Sequence, residues 1–284
     1  MLIFRLCGGL GNQMFQYGFG RYLSLKYDKE LFIDASFFNN KNSKRNIGIS
    51  EFNLDCKISI DDYKSNKFFQ NPIMNKYFNY LIFNYSIYAE SKVCSFNKLL
   101  LRKSNGYFDG YWQSYKYFSS IRNILVKEFV PRKISSDTKI LINKIEATMS
   151  IGLHIRKSDY LNEINSNIYA NCSSDYYLNS MIIMSKKFPN SIFYIFTDDL
   201  NWVNLNLNFS NFNHVFVSKS PTEDLYIMSK CKHNIISNST FSWWSAWLNE
   251  NNNKEIIAPF YWFTEKSNIK HDIIPDEWIR IPND

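Results

Sequence analysis

The chain has 284 residues, enough for one large or two ordinary domains, and its 45% hydrophobic and 21% charged content excludes wholesale disorder. Against 26 Asp and Glu stand 33 Lys and Arg, a net charge of +7, which fits either solubility alone or an anionic partner. The basic runs at Lys44–Arg45 and Arg132–Lys133 are too short for a nucleic-acid arm, and five scattered cysteines without a CxxC pair exclude a zinc ribbon or redox motif.

Strand and helix signals alternate from the first residues, which argues α/β architecture. Leu2–Leu6 is a strand pattern ending in Gly8-Gly9-Leu10-Gly11. Phe15, Phe19 and Leu23, four apart, then mark a helix from Asn12, and Leu31–Asp34 is the next strand. From about Phe37 to Lys103 the pattern blurs into aromatics, asparagines and short apolar clusters such as Tyr80–Tyr85, a region that suits ligand-specific variation. Some helix is expected within Tyr115–Phe129. Pro131 bars helical geometry in its predecessor and marks a domain boundary.

Beyond it the rhythm returns. Strands are expected at Ser150–Ile155, Ile192–Thr197, Val215–Val217, Asn234–Ser237 and Glu255–Ala258. Helices are expected at Ser174–Phe188, Glu223–Cys231 and Phe241–Leu248. Such repetition builds a parallel sheet whose ligands sit beyond the carboxyl ends of its strands. The N-terminal apolar run is too short for a signal peptide, and no stretch reaches the 18 or so apolar residues of a membrane span. The cysteines read as reduced core residues of a cytosolic protein.

Three segments carry candidate chemistry. Gly8–Gly20 puts clustered glycines between strand and helix, where backbone amides can approach an anion. Met14 occupies the third glycine position of a dinucleotide fingerprint, and no P-loop Lys follows. A tight turn accounts for Gly9 and Gly11, but not for the amides Asn12 and Gln13 at the helix start. In Ser150–Tyr160, alternation sends Leu153 and Ile155 to one face of a strand and His154 and Arg156 to the other. A buried parallel strand should be apolar on both faces, so this polar pair needs a partner at the sheet edge. An ion pair of Arg156 with Asp159 is one reading; a bidentate Arg156 clamp on a diphosphate, with Lys157 adding charge, is the other. The third segment, Lys232–Trp247, leads a strand into Ser237-Asn238-Ser239-Thr240 and then a helix bearing Trp243 and Trp247. Capping explains the hydroxyls and core packing the tryptophans, while a helix N-terminus there also forms an anion site. Asp198-Asp199 are adjacent, so on an extended segment they point apart, and no metal site is expected from them.

Together, GGLGNQMFQY, GYWQSYKYF at Gly110–Phe118, HIRKSDY at His154–Tyr160 and SNSTFSWW at Ser237–Trp244 resemble, in order and spacing, the family 11 glycosyltransferases, the α-1,2-fucosyltransferases. The family pattern reads HIRRGDY; here Lys157 and Ser158 replace its second Arg and its Gly. The resemblance implies a GT-B fold of two Rossmann-like domains facing across a cleft: residues 1–131 on the acceptor side and 132–284 binding GDP-fucose. It implies metal-independent, inverting transfer of L-fucose from GDP-β-L-fucose to the 2-hydroxyl of a galactoside, with no cofactor. A bacterial O-antigen or surface-polysaccharide enzyme of the cytoplasm is expected, with peripheral contact at an anionic inner membrane as a further partner and nucleic acid as none.

By that resemblance Arg156, Asp159 and His154 are the catalytic candidates, Arg156 meeting the leaving diphosphate and Asp159 preferred over His154 as base. Gly9, Gly11, Asn12, Gln13, Lys157, Asp224, His233, Asn238, Ser239 and Thr240 are assigned to the donor, and Tyr111, Trp112 and Gln113 to the acceptor. The competing readings are another GDP-sugar transferase, such as an α-1,6-fucosyltransferase, and a non-catalytic carbohydrate-binding protein. A nucleic-acid binder is disfavoured because basic blocks interleaved with aromatics are absent.

Overall fold

A computed structural model of the chain describes residues 1–39, 46–59, 86–157 and 167–284. The Tyr80–Tyr85 cluster and Asp159 lie outside the described residues. The chain parts into two compact units, Met1–Val130 with Lys270–Ile273, and Pro131–Ile269 with Ile274–Asp284. The division therefore differs from a single cut near residue 131, because a four-residue strap late in the chain returns to the first unit. There the strap is fixed by an ion pair of Asp272 with Lys116 at 3.0 Å, by the Asp272 amide on the Cys94 carbonyl, and by full burial of Ile273.

The first unit is a five-stranded sheet, β1 Leu2–Arg5, β2 Leu31–Asp34, β3 Lys57–Ser59, β4 Ile87–Ala89 and β5 Gly106–Asp109, in the order β3-β2-β1-β5-β4 with every pairing parallel. Helix α1, Leu10–Tyr27, connects β1 to β2 and buries the expected stripe of Phe15, Phe19 and Leu23 completely. Gly20 lets the helix approach the sheet, since a Cβ there would stand 2.8 Å from Leu31 Cδ1. Phe4, Phe19, Phe108, Trp112 and Tyr117 form a continuous aromatic core. The helix expected around Tyr115–Phe129 is two 3-10 turns followed by a short α2, Arg122–Glu128.

The second unit opens with α3, Ser136–Ala147, and holds a six-stranded sheet. Its strands are β6 Ser150–Ile155, β7 Ile192–Thr197, β8 Asn213–Val217, β9 His233–Ile235, β10 Ile256–Pro259 and β11 Ile279–Ile281. Helices α4 Ser174–Lys187, α5 Leu200–Asn206, α6 Pro221–Ser229 and α7 Thr240–Leu248 connect them. The sheet order β11-β10-β9-β6-β7-β8 is wholly parallel and matches the doubly wound Rossmann order. Strand order reverses between β6 and β9, so the binding crevice of this unit lies beyond their carboxyl ends. Ile151, Leu153 and Ile155 pack on one side of the sheet with Tyr176, Tyr177 and Met181 of α4. Tyr194 and Phe196 pack on the other with Ile227 and Met228 of α6. Trp243, Trp244 and Trp247 are core residues, as capping-plus-core packing predicts. All five cysteines are unpaired, four of them buried. Among the described residues no helix is long and apolar enough to cross a membrane.

Candidate active site at the strand-order reversals

In the second unit, β6 delivers His154 and Arg156 to the crevice between β6 and β9. His154 is buried, its Nδ1 lies 3.0 Å from Ser237 Oγ just past β9, and its ring packs 5.2 Å from Phe241. This contact ties together the two strands that flank the reversal. Burial, reinforced by the neighbouring Arg156 charge, lowers the His154 pKa to about 3, so its imidazole is neutral near pH 7. In this structure His154 serves as a strand-to-strand tie.

Arg156 leaves the end of β6, and its Nε meets Asp198 Oδ2 at 3.2 Å. The other Asp198 oxygen accepts the Lys157 amide at 2.9 Å. One carboxylate at the end of β7 thus fixes both the guanidinium and the backbone turn that carries it. Among the described residues Arg156 pairs with Asp198; Asp159, the partner expected from the sequence, lies outside them. Asp199, next to Asp198, instead caps α5 by accepting the Trp202 amide at 2.9 Å.

Lys157 turns inward instead of toward an anion. Its side chain is buried, its ammonium lies 3.9 Å from the Trp202 ring centre, and it donates to Asn171 Oδ1 at 3.0 Å and to the Cys172 carbonyl. Alternation explains this, since the residue after an edge-facing Arg156 points to the other side, where α4 and α5 pack. Asn238, also assigned to the donor, is buried and donates its amide to the Ala170 and Trp262 carbonyls, shaping the loop. His233 lies at the amino end of β9, opposite the crevice. It stacks 3.7 Å from Phe188 and accepts the Glu255 amide, which removes it from a guanine site in this unit. Asp224 sits in the first turn of α6 and accepts the Lys219 amide at 2.9 Å; burial raises its pKa to about 6.

Ser239 and Thr240 remain at the crevice. Helices α3, α4 and α6 begin with serines whose hydroxyls accept a first-turn amide, and α5 begins with Asp199 in that role. α7 begins at Ser239 with no such side-chain cap, and both Ser239 and Thr240 are half-buried. Helix geometry aims its first-turn amides outward, next to the end of β6 that bears Arg156. A guanidinium and a helix N-terminus thus share one strand-order reversal.

The first unit has its own reversal, between β1 and β5, and the glycine turn sits there. Gly8 adopts φ +78, and a Cβ on it would stand 2.5 Å from Asn12 Nδ2. Gly9 caps α1 and accepts the Asn12 and Gln13 amides, and Gly11 is buried in its first turn. The side chain of Gln13 is committed elsewhere: it is fully buried, donates to the Gly8 and Asn46 carbonyls, and accepts the Ile49 amide. It pins the turn from behind. Asn12 stays half-buried and accepts a hydrogen bond from Gln113 Nε2 at 2.8 Å, which joins the two motifs.

Of the three acceptor candidates, Tyr111 is 37% exposed, whereas Trp112 is 1% exposed and belongs to the aromatic core. Trp112 adopts φ 55, an uncommon conformation for a bulky residue. Glu90 accepts the amides of Tyr111 at 2.7 Å and Trp112 at 3.2 Å, holding the turn. Sequence reasoning passed over Arg5, at the carboxyl end of β1, paired with Asp109 at 2.9 Å and lying 5.6 Å from the Phe37 ring centre. Its signal was the one that exposed Arg156: a charge in an otherwise apolar parallel strand.

The model for glycosyl transferase family 11 matches residues 2–282. The chain belongs to that family. Family 11 membership makes it a glycosyltransferase, and its relatives support this along their whole length. An α-1,2-colitosyltransferase of Escherichia coli is 32% identical over 99% of both chains. The O-antigen biosynthesis glycosyltransferase WbnK of Escherichia coli is 31% identical, covering 97% of this chain and 99% of its own. Among solved structures, a variant of Arabidopsis thaliana FUT1 in complex with GDP matches with a TM-score of 0.51 at 12% identity, covering 90% of this chain and 69% of its own. That likeness concerns the fold, which is of the GT-B class with two Rossmann-like units.

Proposed function

We propose that this family 11 enzyme transfers L-fucose from GDP-β-L-fucose to the 2-hydroxyl of a galactoside, with inversion, in the cytoplasmic assembly of a bacterial surface polysaccharide. The observation that carries this reading is Arg156 held by Asp198 at the strand-order reversal where α7 begins without a side-chain cap, which supports a diphosphate there. As the acceptor oxygen attacks the anomeric carbon, the bond from that carbon to the β-phosphate oxygen breaks, and GDP departs with the electron pair. Arg156 and the outward amides near Ser239 and Thr240 neutralise the growing negative charge, the task a divalent cation performs in other transferases. GDP is a good leaving group without protonation. The acceptor proton passes to a base, for which Asp159, outside the described residues, is the candidate. Asn12 and Tyr111, at the edge of the first unit, are assigned to sugar contacts.

The α-1,2 linkage in the name of the 32%-identical relative supports this regiochemistry and also favours a second reading of the donor. Colitose is fucose without its 3-hydroxyl, and a site built to bond a hydroxyl rejects the deoxy analogue by about 10⁴-fold. The test compares GDP-fucose with GDP-colitose, with and without lactose, in EDTA. Galactoside-dependent GDP release that resists chelation and favours GDP-fucose supports the proposal. A preference for GDP-colitose replaces the donor, and release requiring a metal sinks the charge argument.

A further inference from the structure

The amino edge of the first sheet carries a surface that this chemistry does not use. Helix α1 starts at the Gly8–Gly11 turn and ends at the opposite edge, where its last turn meets the 3-10 turn Lys98–Arg102. Lys26 Nζ donates to the Leu101 carbonyl at 2.7 Å and Tyr27 Oη to the same oxygen at 2.9 Å, so the two segments form one surface. Lys103 extends it, 5.3 Å from the Tyr88 ring centre.

Two features of this surface occur together. Leu99 is 63% exposed and Leu25 39%, apolar side chains left in water. The same two segments carry Lys26, Lys98, Arg102 and Lys103, with no acidic residue anywhere in α1 or between Glu90 and Asp109. Of the two acids after α1, Asp28 and Glu30, the second is neutralised by Lys57 at 2.6 Å. Tyr22 and Tyr27 flank the Lys26 ammonium at 5.7 and 5.3 Å. Exposed leucines ringed by cations, with tyrosines at their rim, match the depth profile of a bilayer interface: apolar tips below, aromatic phenols at headgroup level, cations on phosphates.

We propose that this face docks on an anionic phospholipid surface. Leu99 and Leu25 enter the headgroup–acyl boundary while Lys26, Lys98, Arg102 and Lys103 meet lipid phosphates. A nucleic acid would use the same cations but has no place for exposed leucines, and its bases call for stacking aromatics on an open groove. Because the face lies at the amino ends of the strands, docking leaves the Gly8–Gly11 turn and Tyr111 on the side away from the lipid.

The whole protein is sedimented with vesicles of phosphatidylcholine alone or with 30% phosphatidylglycerol, at low and high salt. Binding at least tenfold tighter to the anionic vesicles, weakened by salt, is expected. A Lys98→Glu/Arg102→Glu/Lys103→Glu variant should lose at least tenfold of that affinity, and Leu99→Asp several-fold, both with unchanged circular dichroism and unchanged GDP release on a soluble galactoside. Equal binding to neutral and anionic vesicles, or unchanged binding by the triple variant, overturns the proposal. So does tighter binding to a short oligonucleotide than to vesicles with Leu99→Asp indifferent, which would make the surface a nucleic-acid site.

Discussion

Among the described residues, the carboxylate of Asp198 anchors the guanidinium proposed to meet the diphosphate. Asp198 holds Arg156 through Nε at 3.2 Å and the following amide at 2.9 Å, so charge and backbone are set together. Arg156→Ala should lower turnover by several hundredfold, about 3–4 kcal/mol, with folding intact. Asp198→Asn keeps an acceptor for the Lys157 amide but loses the charge opposite Arg156. It should lower kcat by roughly ten- to a hundredfold at little cost in melting temperature, and turnover within twofold of wild type would remove Asp198 from a positioning role. His154 makes a separate prediction. Its folded pKa of about 3 lies below the ordinary 6.5, so the unfolded chain takes up a proton first, and this contribution to stability is present above pH 6.5 and lost as pH falls toward 3. His154→Asn should melt at lower temperature near pH 7 yet show a flatter decline between pH 6.5 and 4. Asp159→Asn should lower the rate and remove the acid-side fall caused by protonation of a carboxylate base; an unchanged pH–rate profile would argue against Asp159 as base.

At the level of elements, the sequence announced strands and helices wherever apolar spacing was regular, and β1, α1, β2, β6, α4 and β7 stand where that spacing puts them. It was silent where tertiary packing decides. The three-residue strands β3 and β4 are too short for alternation to register, β5 offers only Tyr107 and Phe108 between a glycine and an aspartate, and α3 is a largely exposed helix whose apolar stripe is interrupted. Within the site, the sequence revealed which residues stand at an edge but not which way they turn. Lys157 and Gln13 look equally suited to an anion in the linear chain, yet one sits over Trp202 and the other behind the glycine turn. Neutral Gln13 should therefore matter to stability: Gln13→Ala strands the Ile49 amide and should cost about 1–3 kcal/mol by urea unfolding. Gly8→Ala should be worse for activity than for folding. Its φ of +78 strains any side chain, and the added carbon would collide with Asn12, displacing an amide assigned to the sugar.

Across the whole molecule, the parallel sheet of the second unit could be read from rhythm and that of the first only from the family resemblance, while the return of Lys270–Ile273 to the first unit could be read from neither. Four residues carry no periodicity; the burial of Ile273, the Lys116–Asp272 pair and the Asp272 amide on the Cys94 carbonyl reveal where they belong. Ile273→Ala should destabilise the first unit by about 2–4 kcal/mol, seen as an earlier urea transition, while the second unit keeps its midpoint.

That strap also bears on biosynthesis. The first unit lacks one of its own pieces when Val130 leaves the ribosome, and obtains it only after the second unit has been almost entirely translated. At roughly 5–20 residues per second, the wait is on the order of ten seconds. During it the apolar surface that buries Ile273 in the finished unit stays uncovered on the nascent chain.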